Sequence, residues 1–267
     1  MAFEGYTSAV SVRPGERIDF HMNSDAPADF AVQFRRVSRA GAVQLTGNGH
    51  VDPQPPAAAN AHEAGVDWPS AFSLQVPHDW VSGIYRAQFA AGANQTSVSF
   101  IVRPAQPAST SSILLEAVTA TEQAYNSWGG GNIYPSPGSP GAGSRSRRVS
   151  LDHPVVIGPQ TYDREEKFLQ WMDDRGLVAE VCSGIDLHSG LIPLDRYALL
   201  LSVSHDEYWS KEMRDAVEEF IAGGGNVAFF SGNTCWWQVR FEDADRTMVC
   251  FKSAAEDPLT GVDDARV

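Results

Sequence analysis

The sequence predicts two fold classes in series: an antiparallel β-sandwich over residues 1–104, a linker at 105–112, and a doubly wound α/β domain with a parallel sheet over 113–267. Three observations predict it. Short segments of alternating apolar and polar residues fill the first part, a Pro/Ser-rich stretch follows, and beyond it apolar runs alternate with amphipathic helices. A chain of 267 residues, 43% hydrophobic, is long enough to bury the cores this requires.

In order, the alternating segments are "SAVSV", "IDFHM", "DFAVQFRRV", "FSLQV", "GIYRAQF" and "TSVSFIV", with a turn at "RPGE". A period of two between turn residues, with no long amphipathic helix, is the pattern of an immunoglobulin-like sandwich. "DPQPPAAANAHEAG" reads as a long loop, and "RPAQPASTSS" (Arg103 to Ser112) as an interdomain linker. "ILLEAV" (Ile113 to Val118) is then a buried strand, and "REEKFLQWMDDRG" (Arg164 to Gly176) an amphipathic helix with a glycine stop. "LVAEVCS" and "RYALLLSVS" are the second and third strands, "KEMRDAVEEFIAGGG" the second helix and "NVAFFSG" the fourth strand. Apolar strands alternating with helices form a parallel sheet covered on both faces. The closing "DPLTGVDDARV" carries no further helix, so the α/β domain is expected to be incomplete at this end.

Charge and cysteine content narrow the class. A net charge of −13 argues against nucleic acid or an anionic membrane as partner, since both call for basic surface. The one basic cluster, Arg145, Arg147 and Arg148, reads as a solvated linker inside a Gly/Pro/Ser-rich loop. Cys182, Cys235 and Cys250 are odd in number, lack CxxC spacing and suit a reducing compartment. "MAFEGYTSAV" has neither the basic nor the apolar region of a signal peptide, and no run approaches the ~18 apolar residues of a membrane span. A cytoplasmic location is expected.

In open α/β sheets reactive groups collect just beyond the carboxyl ends of the strands. Three such loops carry unusual chemistry: "TATEQAYNSWGGGNIY", "HDEYWS" and "SGNTCWW". If their strands are neighbours, Tyr125, Asn126, His205, Asp206, Glu207 and Asn233 converge on one edge. Several signals also have plain structural readings. Ser210 fits a helix N-cap, Gly223 to Gly225 fit a helix C-cap, and an isolated Tyr125 or Tyr85 fits a hydrogen-bonded core tyrosine. His205 and Glu207, ionisable and flanked by Tyr208 and Trp209, would be costly if merely buried. No G-x-S-x-G or G-x-C-x-G elbow and no HExxH occurs, which disfavours a serine or cysteine nucleophile and a His-rich zinc site. Oxygen chemistry from tyrosines and carboxylates, with one well-placed histidine, remains.

These residues resemble a family. "SGIYRAQF", "TEQAYNSWGGGNIY", "SHDEYWSKEMRDAVEEFIAGGGNVAFFSGNTCWWQVRFE" and "MVCFKSAAEDP" are similar, in order and spacing, to the C-terminal region of the large subunit of N,N-dimethylformamidase and its relatives, from Tyr6 to Pro258. The resemblance implies a mononuclear ferric ion, Fe(3+), held by Tyr85, Tyr125 and Glu207, with His205 and Asn233 lining the pocket, and hydrolysis of a small, formamide-type amide to an amine and a carboxylate; His205 and Asn233 are then the expected catalytic residues beside the metal, orienting the reacting groups and stabilising developing oxyanion charge. Phenolates and carboxylates are hard donors suited to a trivalent ion, and three protein ligands leave room for water or a carbonyl. Tyr85 is the discriminating residue: alternation in "GIYRAQF" places it in the sandwich core, whereas the resemblance sends its hydroxyl across the domain boundary. A carboxylate implicated in the family's catalysis has no counterpart here, and the family's enzyme pairs with a small helical subunit. A further chain completing the site, within an oligomer, is therefore expected. Competing readings are a non-catalytic relative binding a small ligand or sugar, one chain of a split enzyme, and, on fold analogy alone, a hydrolase or isomerase of glutamine-amidotransferase-like fold.

Overall fold

The computed structural model describes residues 3–37, 42–134, 144–156 and 162–261. The middle of the Gly/Pro/Ser-rich loop, 135–143, and the last residues of the expected α/β domain, 262–267, lie outside them. The first part comprises β1 (Phe3–Thr7), β2 (Ser11–Val12), β3 (Arg17–Ser24), β4 (Ala28–Arg36), β5 (Val43–Val51), α1 (Ala61–Ala64), β6 (Ser70–Gln75), β7 (Gly83–Ala91) and β8 (Asn94–Val102). A sheet of order β1-β3-β6 faces one of order β2-β8-β7-β4-β5, and every pairing except β2 with β8 is antiparallel. Alternation decides the facing: Phe30, Val32 and Phe34 of β4 turn inward to meet Ile18, Phe20 and Met22 of β3. Phe20 sits at the centre, 5.5–5.7 Å from the rings of Phe34, Phe89 and Phe100.

The second part comprises β9 (Ile113–Ala117), α2 (Thr119–Tyr125), β10 (Gly131–Asn132), β11 (Ser144–Arg145), β12 (Arg148–Ser150), α3 (Asp163–Asp173), β13 (Glu180–Ser183), α4 (Gly184–His188), β14 (Leu199–His205), β15 (Tyr208–Ser210), α5 (Lys211–Ala222), β16 (Asn226–Gly232), β17 (Trp237–Glu242) and β18 (Thr247–Val249). The sheet β13-β9-β14-β16 is parallel throughout. β13, β9 and β14 are apolar on both sides because both sides are covered, whereas the edge strand β16 leaves Phe229 and Phe230 exposed. Leu115, Ala117, Val181 and Leu201 pack on Leu169 and Met172 of α3 and on Ile84 and Ile101 from the outer face of the sandwich. Leu114, Cys182 and Leu200 pack on Leu187 of α4 and on Met213, Val217 and Phe220 of α5. Ser210 caps α5 as its sequence suggests, its Oγ accepting from the Met213 amide at 3.1 Å. Gly223 ends the helix and Gly224 takes φ +92°, so these glycines form a stop.

The structure departs from the expectations in four places. The "DPQPP" loop contains the one-turn α1, and the segment after β9 folds as α2. A second sheet, β12-β18-β17-β15, joins strands almost a hundred residues apart in sequence. Arg145 and Arg147 both pair with Glu256, at 3.1 and 2.9 Å, and Arg148 with Glu242 at 2.5 Å, so the basic cluster is ion-paired and not a free linker. Finally, the Pro/Ser linker is pinned: the amides of Ala108 and Thr110 donate to the buried Glu180 carboxylate at 2.9 and 2.8 Å. No helix among the described residues is long and apolar enough to cross a membrane.

Candidate active site

β9, β14 and β16 are neighbours, so the loops beyond their carboxyl ends share one edge of the sheet. Two of these loops are joined through the backbone. The Cys235 amide donates to the Asp206 carbonyl at 2.9 Å, and the amides of Trp236 and Trp237 both donate to the Glu207 carbonyl at 2.9 Å. From α2, the Thr121 Oγ1 accepts from the amides of Glu207 and Tyr208, at 2.9 and 3.2 Å. Ser204 takes φ +91°, a costly conformation for a residue with a side chain, immediately before His205. The small sheet supplies the remaining support: Ala120 and Ala124 of α2 pack on Val149, Tyr208, Val239 and Met248. Held between two sheets, α2 directs Tyr125 toward the chain turn at 205–207.

Three functional atoms meet there. The Tyr125 hydroxyl donates to Glu207 Oε2 at 2.7 Å and lies 3.1 Å from His205 Nε2, which is itself 3.0 Å from Glu207 Oε2. Burial, and then donation to Glu207, push the Tyr125 phenol up from its ordinary value. A triangle of donor atoms with edges near 3 Å is the size of one face of a metal's coordination shell, since oxygen ligands at about 2.1 Å on neighbouring positions are about 3 Å apart. Hard oxygens from a phenol and a carboxylate suit a trivalent ion. No three His, Cys, Asp or Glu side chains among the described residues form a metal-holding group, so any metal at this triangle would need the tyrosine oxygen. Beside the triangle opens a cavity of about 580 Å³, walled by Tyr125, His205, Thr121, Glu122 and Arg164.

Not every expected residue joins it. Tyr85 is fully buried within the sandwich core; its ring stacks on Trp80 with centroids 4.4 Å apart, and its hydroxyl donates to the Val81 carbonyl at 2.9 Å. That hydroxyl is satisfied where it lies, and the expectation that it crosses to Tyr125 and Glu207 is corrected: alternation along β7 decided its direction. Asn233 sits on the same edge, one residue beyond Gly232, which pairs in register with His205, but its side chain is exposed and makes no hydrogen bond among the described residues. Asn126 is structural, bridging the Trp128 and Val156 amides and the Pro154 carbonyl. Asp206 points away from the triangle, accepting from Ser202 Oγ at 2.6 Å and lying near Glu116. Burial, and then the charges of Asp206 and Glu165, push the Glu116 carboxyl well above the carboxylate range.

The structure adds Lys252, which the sequence reading missed. Its Nζ donates to Tyr208 Oη at 2.6 Å and the Tyr134 carbonyl at 2.9 Å, and lies 4.8 Å from the Trp237 ring centroid. Burial lowers its pKa. Tyr134 stacks on Tyr125, with centroids 4.3 Å apart, so this ammonium lies one ring behind the triangle. The available signal was a lysine following the apolar "MVCF", a place where a charge is otherwise expensive.

Comparison with known proteins places the chain in a family. The beta subunits of N,N-dimethylformamidase from Paracoccus aminophilus and from an Alcaligenes species are each 32% identical to the chain over 72 residues, which is 27% of this chain and 9% of theirs. The match thus spans a small part of those relatives' length. The profile of the family described as "N,N-dimethylformamidase beta subunit-like, C-terminal" matches residues 31–266, almost the whole chain. The protein belongs to that family.

Proposed function

We propose that the chain carries the metal-binding centre of an amide hydrolase acting on small amides, in which Tyr125 and Glu207 hold a ferric ion and His205 takes the third corner that Tyr85 leaves. The observation that carries this reading is the triangle of Tyr125 Oη, Glu207 Oε2 and His205 Nε2 beside a cavity. When bound, the ion polarises the amide carbonyl and lowers the pKa of water, the two requirements of amide hydrolysis at neutral pH. The chain's own residues do the rest. Thr121 fixes the 207–208 backbone so that Glu207 meets Tyr125. The Tyr134 ring, stacked on Tyr125, covers one side of the phenol against water. Lys252, through Tyr208 and the Tyr134 carbonyl, holds that aromatic wall in place. Asn233, on the exposed loop beyond β16, is read as a contact for bound substrate.

The two curated relatives are named as beta subunits, which supports a second chain in the working assembly and an oligomeric enzyme. The sandwich is read as immunoglobulin-like and the parallel-sheet domain as glutamine-amidotransferase-like, both on strand order and layering. The test is direct. Protein loaded with ferric iron is analysed for metal content, for the visible absorption that a phenolate gives on ferric iron, and for formate release from small formamides. One iron per chain with that absorption and with formate release supports the reading; iron bound without turnover reduces the chain to a binding relative, and no bound iron overturns it.

A further inference from the structure

Arg164 stands out by what it lacks. The chain has 33 acidic against 20 basic residues, and most of its arginines find a carboxylate: Arg86 pairs with Glu166, Arg103 with Glu16, Arg240 with Asp257 and Arg246 with Asp152. Arg164, at the start of α3, makes no ion pair or hydrogen bond to any described residue, and it forms part of the wall of the cavity that opens on Tyr125 and His205.

The carboxyl nearest to hand does not neutralise it. Glu122 Oε1 is engaged by the Tyr162 amide at 2.5 Å, and burial, followed by the charge of Glu165, pushes the Glu122 carboxyl well above the carboxylate range. Its other oxygen, Oε2, is buried without a partner. The cavity wall therefore carries a guanidinium with no ion-pair partner among the described residues, beside a carboxyl already engaged by the Tyr162 amide. A planar guanidinium is the side chain best matched to a carboxylate, which it can bind through two parallel hydrogen bonds.

We propose that Arg164 is a specificity residue of this cavity, and that its substrates are amides bearing a carboxylate, of the N-formyl amino acid type, with the carboxylate on Arg164 and the amide facing Tyr125 and His205. This rests on the amide-hydrolase reading for the reaction, though not for the binding. The reaction balances as R–NH–CHO plus water giving R–NH₃⁺ and formate, the carboxylate of R being unchanged.

The probes are N-formylglycine and its uncharged counterpart N-formylglycinamide, titrated by calorimetry into the full chain and into Arg164→Met and Arg164→Lys. Arg164 is exposed, so neither variant should alter the thermal melt, which is checked first. The charge-assisted pair predicts that the wild type binds N-formylglycine about 10- to 100-fold more tightly than the amide, that Arg164→Met removes the preference, and that Arg164→Lys keeps part of it. Equal affinity for the two probes, no binding of either, or an unchanged preference in Arg164→Met overturns the proposal. Formate release is measured in parallel on both probes. Its absence from both counts against the hydrolase reading alone, while the binding preference decides the role of Arg164.

Discussion

Replacing Glu207 with glutamine keeps the shape of the side chain and removes its charge, at a position whose side chain is only 6% exposed. The carboxylate accepts from Tyr125 at 2.7 Å and faces His205 Nε2 at 3.0 Å, so it is the single anion that both other corners share. Losing a hydrogen bond to a charged partner costs about 1.5–3 kcal/mol, which on a dissociation constant is roughly 10- to 10²-fold. The effect on iron should reach at least that range, because an amide oxygen cannot supply the charge a trivalent ion demands. The measurement is a chelator competition on wild type, Glu207→Gln and Glu207→Asp, followed through metal content and visible absorption. Glutamine should strip the metal while leaving the melt within a few degrees, since the backbone of residue 207 is held by Thr121, Trp236 and Trp237 and not by the carboxylate. His205→Ala should weaken iron binding by a smaller factor, because it removes a neutral donor. If Glu207→Gln binds iron as the wild type does, the metal lies elsewhere and the triangle is only a hydrogen-bonded corner; if His205→Ala binds fully and loses only turnover, the histidine is an acid–base group and not a donor.

Three further outcomes are expected. Tyr85→Phe should leave iron content and turnover unchanged and cost about 0.5–1.5 kcal/mol of stability, the value of one hydrogen bond to the Val81 carbonyl; lost iron would restore Tyr85 as a ligand. Thr121→Val strands two buried amides and should lower the melting temperature and the metal affinity together, whereas Thr121→Ser should retain both; a Thr121→Val protein with wild-type affinity would show that the turn needs no such tether. The third concerns pH: burial pushes the Glu165 carboxyl from 4.5 to about 7, so between those values the unfolded chain gives up a proton that the folded chain keeps. Stability from this group therefore falls as pH rises from about 4.5 to about 7, opposite to an ordinary ion-paired carboxylate. Glu165→Gln should raise the melting temperature above pH 7 and change little near pH 4, and an equal shift at both pH values would mean that Glu165 is charged in the fold.

The parts legible in the sequence are those whose pattern is local. "ILLEAV" and "RYALLLSVS" are apolar because both faces of the parallel sheet are covered there, "NVAFFSG" reads the same although Phe229 and Phe230 stay exposed at the sheet edge, and α3 and α5 carry their periodicity within one segment. The edge where Tyr125, His205 and Glu207 meet followed from that strand order. What was missed is non-local or short. α2 has seven residues and no side-chain cap, and β12 finds its partner β18 from the far end of the chain. Lys252 acquires meaning only once Tyr208 and Tyr134 are placed around it. Tyr85 is the reverse case: the strand's own alternation described its position better than the family resemblance did.

The stitching between the loops beyond β14 and β16 is made entirely of main-chain groups, running from residues 235–237 to the carbonyls of Asp206 and Glu207. Asn233 and Cys235 take φ +50° and +52°, Thr234 Oγ1 lies 2.8 Å from Ser231 Oγ and Cys235 packs on the core, so of residues 233–236 it is Trp236, 65% exposed, that projects outward from the stitching. A substitution at Trp236 can thus leave untouched the main-chain bonds that hold Asp206 and Glu207 beside Tyr125. Variants sampled at Trp236 are therefore the economical place to look for altered ligand selectivity, because its side chain faces outward while its amide does the holding.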